Sequence, residues 1–154
     1  MLTIRKFKSS DVPVLRDLFF NTVRNVNVKD YSGEQVKAWA TETYNFEEWS
    51  KGYHSINPFV AEIDGEIVGY ADLQENGFID HFYCHWKYQR KGIGKALMNK
   101  IIEEAKAKNI ERIFSHVSIT AKAFFESFGF EVIKEQEVNI RGQMLSNNIM
   151  QRNL

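Results

Sequence analysis

The sequence predicts a mixed α/β (α+β) fold of about seven strands, most of them antiparallel, with four or so helices. Three observations carry that expectation. Asp64-Gly65 and Asn76-Gly77 each separate two apolar, strand-like runs, and both dipeptides accept positive φ at the two central positions of a tight hairpin turn. Ile93, Leu97, Ile101 and Ala105 recur every fourth residue behind two glycines, and Met98 and Ile102 widen the stripe into the buried face of an amphipathic helix. Ala121, Phe124, Phe125 and Phe128 repeat that pattern before two final strand-like runs.

In order, Leu2 to Phe7 reads as a short strand. Ser9-Ser10-Asp11 offers helix caps, and Pro13 sits in a first turn where its missing N–H does no harm. Val14, Leu15, Leu18, Phe19 and Val23 give that helix its apolar side. Ser32-Gly33-Glu34-Gln35 is a capping-box pattern opening a second helix through Val36 and Trp39, and a third short helix runs from Asn45 through Trp49. Strands follow at Phe59–Ile63, Glu66–Leu73 and Phe78–Cys84. After the long helix, which stops near Asn109, come a strand at Arg112–Val117 and a helix capped by Ser118 or Thr120 and stopped by Gly129. Strands at Phe130–Val138 and Gln143–Met150 close the chain around a turn near Arg141-Gly142.

The stretch Gln89-Arg90-Lys91-Gly92-Ile93-Gly94-Lys95 joins a strand to a helix. Its glycines allow a sharp bend, the first helical turn leaves N–H groups unpaired, and the helix dipole makes that end positive. Lys87, Arg90, Lys91 and Lys95 add charge at the same end, so the turn is suited to an anion, above all a phosphate. The Walker spacing fails because Ala96 follows Gly94-Lys95, and the dinucleotide fingerprint fails because Leu97 stands at the third glycine position.

What remains, Gln-x-x-Gly-x-Gly after a strand, resembles motif A of the GNAT superfamily (GCN5-related N-acetyltransferases). The element order is similar to that family from end to end, and Ala121 to Phe130 matches its motif B except at one residue. Asp30-Tyr31-Ser32, Gln35, Trp39 and Val138-x-x-Arg141-Gly142 are similar to an uncharacterised bacterial subgroup. The resemblance implies one domain over 1–154 with a mostly antiparallel central sheet, acetyl-CoA as co-substrate without a metal, and acetyl transfer to an amine in a ternary complex. It further implies that Tyr83 and Cys84 bind pantetheine through the backbone, that Gln89, Arg90, Lys91, Gly92, Ile93, Gly94 and Lys95 hold the pyrophosphate, and that Ser118 and Phe124 flank the rest of CoA. Phe125 stands where the family commonly carries the tyrosine thought to protonate the leaving thiolate. Either the chain is a CoA-binding sensor without catalysis, or thiolate leaves unaided and Phe125 keeps only the ring packing.

Deprotonating the amine needs a base. The family has often placed one on the fourth strand, six or four residues before Cys84. Phe78 cannot serve; Asp80 can, on the same strand face as Phe78 and Phe82, unless it makes a structural hydrogen bond near the turn. His81 is the reserve. Strand alternation separates Cys84 from His81 and His85, which argues against a metal set. Tyr31 and Trp39, with Tyr44, Phe46, Trp49 and Tyr53, belong to the region that covers the acceptor in this superfamily, where aromatic faces suit a cation; packing of the helices or a homodimer contact is the other reading.

The 154 residues suit one domain, and 20 basic against 20 acidic residues leave no overall field for nucleic acid or a membrane surface. A single cysteine and the lack of a signal-like or membrane-spanning apolar run point to the cytoplasm. The acceptor, a small molecule or a protein amine, is not specified by the sequence.

Overall fold

The computed structural model describes residues 1–154. Strand β1 (Leu2–Lys6) is followed by helices α1 (Val12–Asn25), α2 (Gly33–Trp39) and α3 (Phe46–Ile56). Strands β2 (Phe59–Ile63), β3 (Glu66–Ala71), β4 (Phe78–Ile79) and β5 (Phe82–Cys84) lead into α4 (Ile93–Ala107). Then come β6 (Arg112–Ser118), α5 (Lys122–Ser127), β7 (Glu131–Ile140) and β8 (Gln143–Asn153). Ser32 and Gln35 form the expected capping box, Pro13 lies in the first turn of α1, and Asn109 leaves the end of α4 in the left-handed region. Helix α3 runs seven residues beyond Trp49. Trp49, Tyr53 and Ile56 continue its inner face, and Asn57 at φ 43° stops it.

The expected strand at 78–84 is split. Its first half, β4, pairs in parallel with β6 (Phe78 with Phe114), while its second half, β5, pairs antiparallel with β3 (Tyr70 with Tyr83). The strands therefore form two four-stranded sheets, in the orders β1-β2-β3-β5 and β4-β6-β8-β7. Beyond the split, β5 and β6 belong to different sheets. Buried Asp72 holds the break: its Oδ1 accepts from the Asp80 N–H at 2.8 Å and the His81 N–H at 2.6 Å.

Alternation along β2, and a bulge in β3 that leaves Val68 unpaired opposite Ala61 and Glu62, build two cores. Phe59, Ala61 and Val68 face α4 and α5, packing on Ile93, Leu97, Met98, Ile101 and Phe125. Val60 and Tyr70 face the other side, packing on Leu15, Phe19 and Val23 of α1 and Tyr53 of α3. Helix α2 is tied to the last hairpin by Gln35, which donates to the Met144 carbonyl at 2.8 Å, and by Arg141, which donates to that of Ala38 at 2.7 Å. No helix is long and apolar enough to cross a membrane.

Candidate active site

Two features lie along β5: a bare helix end beside Cys84, where β5 ends, and a side-chain pocket at Asp80 and His81, where it begins. At the helix end, Arg90 (φ 60°) and Gly92 (φ 80°) both take the left-handed conformation, turning the chain sharply into α4. No side chain caps this helix, and the first helical bond runs from the Ala96 N–H to the Gly92 carbonyl, so the amides of Ile93, Gly94 and Lys95 have no partner within it. Nothing lies within 4 Å of where a Cβ on Gly92 would stand. Arg90, Lys91 and Lys95 are exposed around this open cradle, so donor geometry and charge both fit a phosphate. Gln89 is used differently from the expectation: its side chain donates to the carbonyls of Cys84 (3.0 Å) and His85 (3.2 Å), fastening the loop to the strand end.

Gly94 has a separate reason to be glycine. A Cβ there would come within 3.0 Å of the Phe124 ring and 3.6 Å of the Cys84 sulfur. Phe124 packs in turn on Phe82 at 5.5 Å between centroids. Ser118, at the end of β6, accepts from the Ala121 N–H at 3.1 Å in the turn before α5; Ala121, rather than Ser118 or Thr120, stands at the N-cap, and no side chain caps that helix.

Strand β5 is an edge strand. Asp72 with His81, and Val68 with His85, are backbone hydrogen-bonded to each other. Alternation then turns the N–H and C=O of Phe82 and Cys84 to the outer edge. The Cys84 carbonyl there is taken by the Thr22 hydroxyl at 2.9 Å, besides Gln89. Cys84 is half-buried, and desolvation pushes its thiol pKa up to about 12.

On the opposite side of β5 lies a pocket of about 390 Å³ against α3, lined by Glu48, Trp49, Gly52, Tyr53, Ser55, Ile56, Gln74, Asp80 and His81. Asp80 thus does not share a face with Phe82, which lies in the other core. The strand breaks at Asp80 and His81, so alternation fails there and both side chains open into one pocket. His81 Nε2 stands 4.0 Å from Asp80 Oδ2, and Nδ1 lies 3.0 Å from the Tyr70 hydroxyl. Burial lowers the His81 pKa and keeps the ring neutral at pH 7. Asp72, which the sequence reading missed, aims both residues; a carboxylate just past a strand carries no signal that its partners are amides eight and nine positions later.

Tyr31 and Trp39 are outside this pocket lining. Tyr31 is buried, donates to the Ser146 carbonyl at 2.7 Å and accepts from the Ile119 N–H at 2.9 Å, so its hydroxyl is fully engaged. Trp39 stacks edge-on against Tyr31 at 5.4 Å. Phe125 is 2% exposed, its ring held between Phe82 (5.6 Å) and Phe130 (5.0 Å). No three His, Cys, Asp or Glu side chains stand close enough to hold a metal ion.

The family profile described as "Acetyltransferase (GNAT) domain" matches residues 27–147. The uncharacterized N-acetyltransferase YafP of Escherichia coli (strain K12) is 30% identical over 149 residues, covering 97% of this chain and 94% of that one. The crystal structure described as "GCN5-Related N-acetyltransferase: Aminotransferase, Class-II" from Rhodopseudomonas palustris superimposes with a TM-score of 0.94 at 26% identity, over 99% of this chain and 95% of the other. The PaiA N-acetyltransferase from Thermoplasma acidophilum, in complex with coenzyme A, superimposes with a TM-score of 0.77 at 20% identity, covering 100% of this chain and 99% of that one.

Proposed function

The chain belongs to the GNAT family of N-acetyltransferases, and on that premise we propose that it moves the acetyl group of acetyl-CoA directly to a primary amine, both substrates being bound at once. The observation that carries the donor half is the uncapped N-terminus of α4, with free amides, open space at Gly92 and three exposed cations. Arg90, Lys91, Gly92, Ile93, Gly94 and Lys95 hold the pyrophosphate, and Gln89 braces their loop. Pantetheine runs along the outer edge of β5 at Tyr83-Cys84, with Ser118 and Phe124 beside the rest of CoA.

The acceptor enters the pocket against α3 as an ammonium ion, attracted by Asp80 and Glu48. Asp80 takes one proton from it. The freed nitrogen lone pair attacks the thioester carbonyl carbon, and charge gathers on an oxygen facing the outward amides of β5. The C–S bond then breaks, CoA leaves as thiolate, and the acetylated nitrogen gives its second proton to water. A thiol of ordinary pKa, about 8.5, makes that thiolate a competent leaving group near neutral pH, able to take its proton from water. Phe125 contributes packing. Cys84 stays a protonated thiol, which supports direct transfer over an acyl-cysteine intermediate.

Titration calorimetry tests the donor site. Arg90→Glu with Lys91→Glu weakens CoA at least about tenfold, the equivalent of losing one good charged hydrogen bond. Pantetheine, which lacks the phosphates, binds both proteins alike. Unchanged CoA affinity in the double variant would remove α4 from the site.

A further inference from the structure

Arg16 of α1 is 2% exposed, and aromatic rings rather than a carboxylate surround its charge. Its Nη2 donates to the Thr41 carbonyl at 2.8 Å, its carbon centre lies 4.5 Å from the Tyr44 ring and 4.6 Å from that of Trp49, and its Nε has no acceptor. A buried charge of this kind orients the dipoles around it. Trp49, on which the guanidinium lies, packs in turn on Tyr53 at 5.7 Å between centroids, and Tyr53 begins a hydrogen-bonded chain. The Tyr53 hydroxyl lies 3.1 Å from that of Tyr70, which lies 3.0 Å from His81 Nδ1; His81 Nε2 then faces Asp80.

Only two proton arrangements satisfy the middle of this chain. In the first, Tyr53 donates to Tyr70, Tyr70 donates to Nδ1, and His81 carries its hydrogen on Nε2. Every hydrogen then has an acceptor or faces the Asp80 carboxylate. In the reverse, Nδ1–H donates to Tyr70 and Tyr70 to Tyr53. The Tyr53 hydrogen is then left without an acceptor at a residue 1% exposed, and a bare Nε2 lone pair faces a carboxylate. An orphaned buried donor is costly. The cation at the Tyr53 end and the anion at the His81 end both favour the first arrangement.

We propose that Arg16, Tyr53 and Tyr70 are positioning residues that fix His81 as its Nε2–H tautomer, turning that N–H toward the Asp80 carboxylate and making it a hydrogen-bond donor to the acceptor pocket, with Asp80 left as the base. The roles rest on the pocket being the acceptor site; the tautomer does not. The chain also accounts for a buried guanidinium without an anionic partner, since its charge is used through the dipoles it orders.

Nitrogen-15 NMR of the whole protein at pH 7 decides the point, with the His81 signals identified by their loss in His81→Gln. The expected spectrum has hydrogen on Nε2 and a bare Nδ1; hydrogen on Nδ1, or on both nitrogens, would overturn the proposal. Tyr70→Phe should give a mixture of the two tautomers and lower kcat at least threefold, with CoA affinity within twofold; a pure Nε2–H form in that variant would remove the tyrosines from the device. In steady-state kinetics, His81→Gln keeps an N–H donor and should stay within about tenfold of the wild-type rate, while His81→Phe falls further. Equal losses in the two would overturn the donor role. If no amine is acetylated, the reading of the pocket fails by itself, and the nitrogen spectrum still decides the tautomer.

Discussion

Asp80 and His81 are adjacent, and an unbroken strand would turn them to opposite faces. They open into one pocket because the buried Asp72 carboxylate takes both of their amide hydrogens. Asp80 was legible from its distance to Cys84, whereas its face was not, because a strand break set by a residue eight positions earlier leaves no local pattern. Asp80→Asn lowers kcat by about 10²-fold with CoA affinity unchanged. Hydroxide can replace a missing base, so the loss shrinks between pH 6 and 9; a pH-independent loss would return Asp80 to a structural role. Phe125→Tyr changes kcat by less than about tenfold, since the thiolate leaves without an acid. Phe125→Ala empties a site in the core between Phe82 and Phe130 and costs about 3–5 kcal/mol of stability, measured by urea denaturation.

Among the elements, the broken strand carries a cost that depends on pH. Burial raises Asp72 from 3.8 to about 6. Its folded pKa lies above its unfolded one, so its favourable contribution is fully present below about pH 4 and is lost as pH rises through about 6. The difference is worth about 3 kcal/mol. Asparagine keeps an oxygen for the two amides but does not titrate. Urea denaturation of Asp72→Asn and wild type should therefore favour the variant by up to about 3 kcal/mol more at pH 7 than at pH 4. A constant difference across that range would mean that Asp72 is not strained when charged. The turn into α4 was legible because glycines, cations and an apolar stripe are all local signals. The length of α3 was not, since its inner face is built from Trp49, Tyr53 and Ile56, and the first two read as acceptor-side aromatics rather than as a stripe.

Across the whole molecule, hairpin dipeptides and the two apolar helix stripes gave the element order, whereas the two cores on opposite sides of the strands depend on a bulge at Val68 that no local pattern marks. The division into two sheets was hidden, because the pairing of β4 with β6 joins residues far apart in the chain. So was the tie from the turn before α2 to β8 and the end of β6: Tyr31 read as an acceptor-site aromatic, yet its hydroxyl bridges Ser146 and Ile119. Tyr31→Phe leaves both backbone groups short of a partner and should cost about 2 kcal/mol in thermal or urea unfolding, with CoA affinity unchanged. A large rise in KM for the amine without loss of stability would favour direct acceptor binding instead. The central claim joins the free helix end to the pocket at Asp80 as the two halves of one transfer reaction. It is tested most directly by incubating the protein with acetyl-CoA and a panel of primary amines, measuring released thiol and acetylated amine in the same mixture. The account predicts amine-dependent release with one acetyl-amine formed per thiol; firm CoA binding with no amine acetylated would contradict it and leave a CoA sensor.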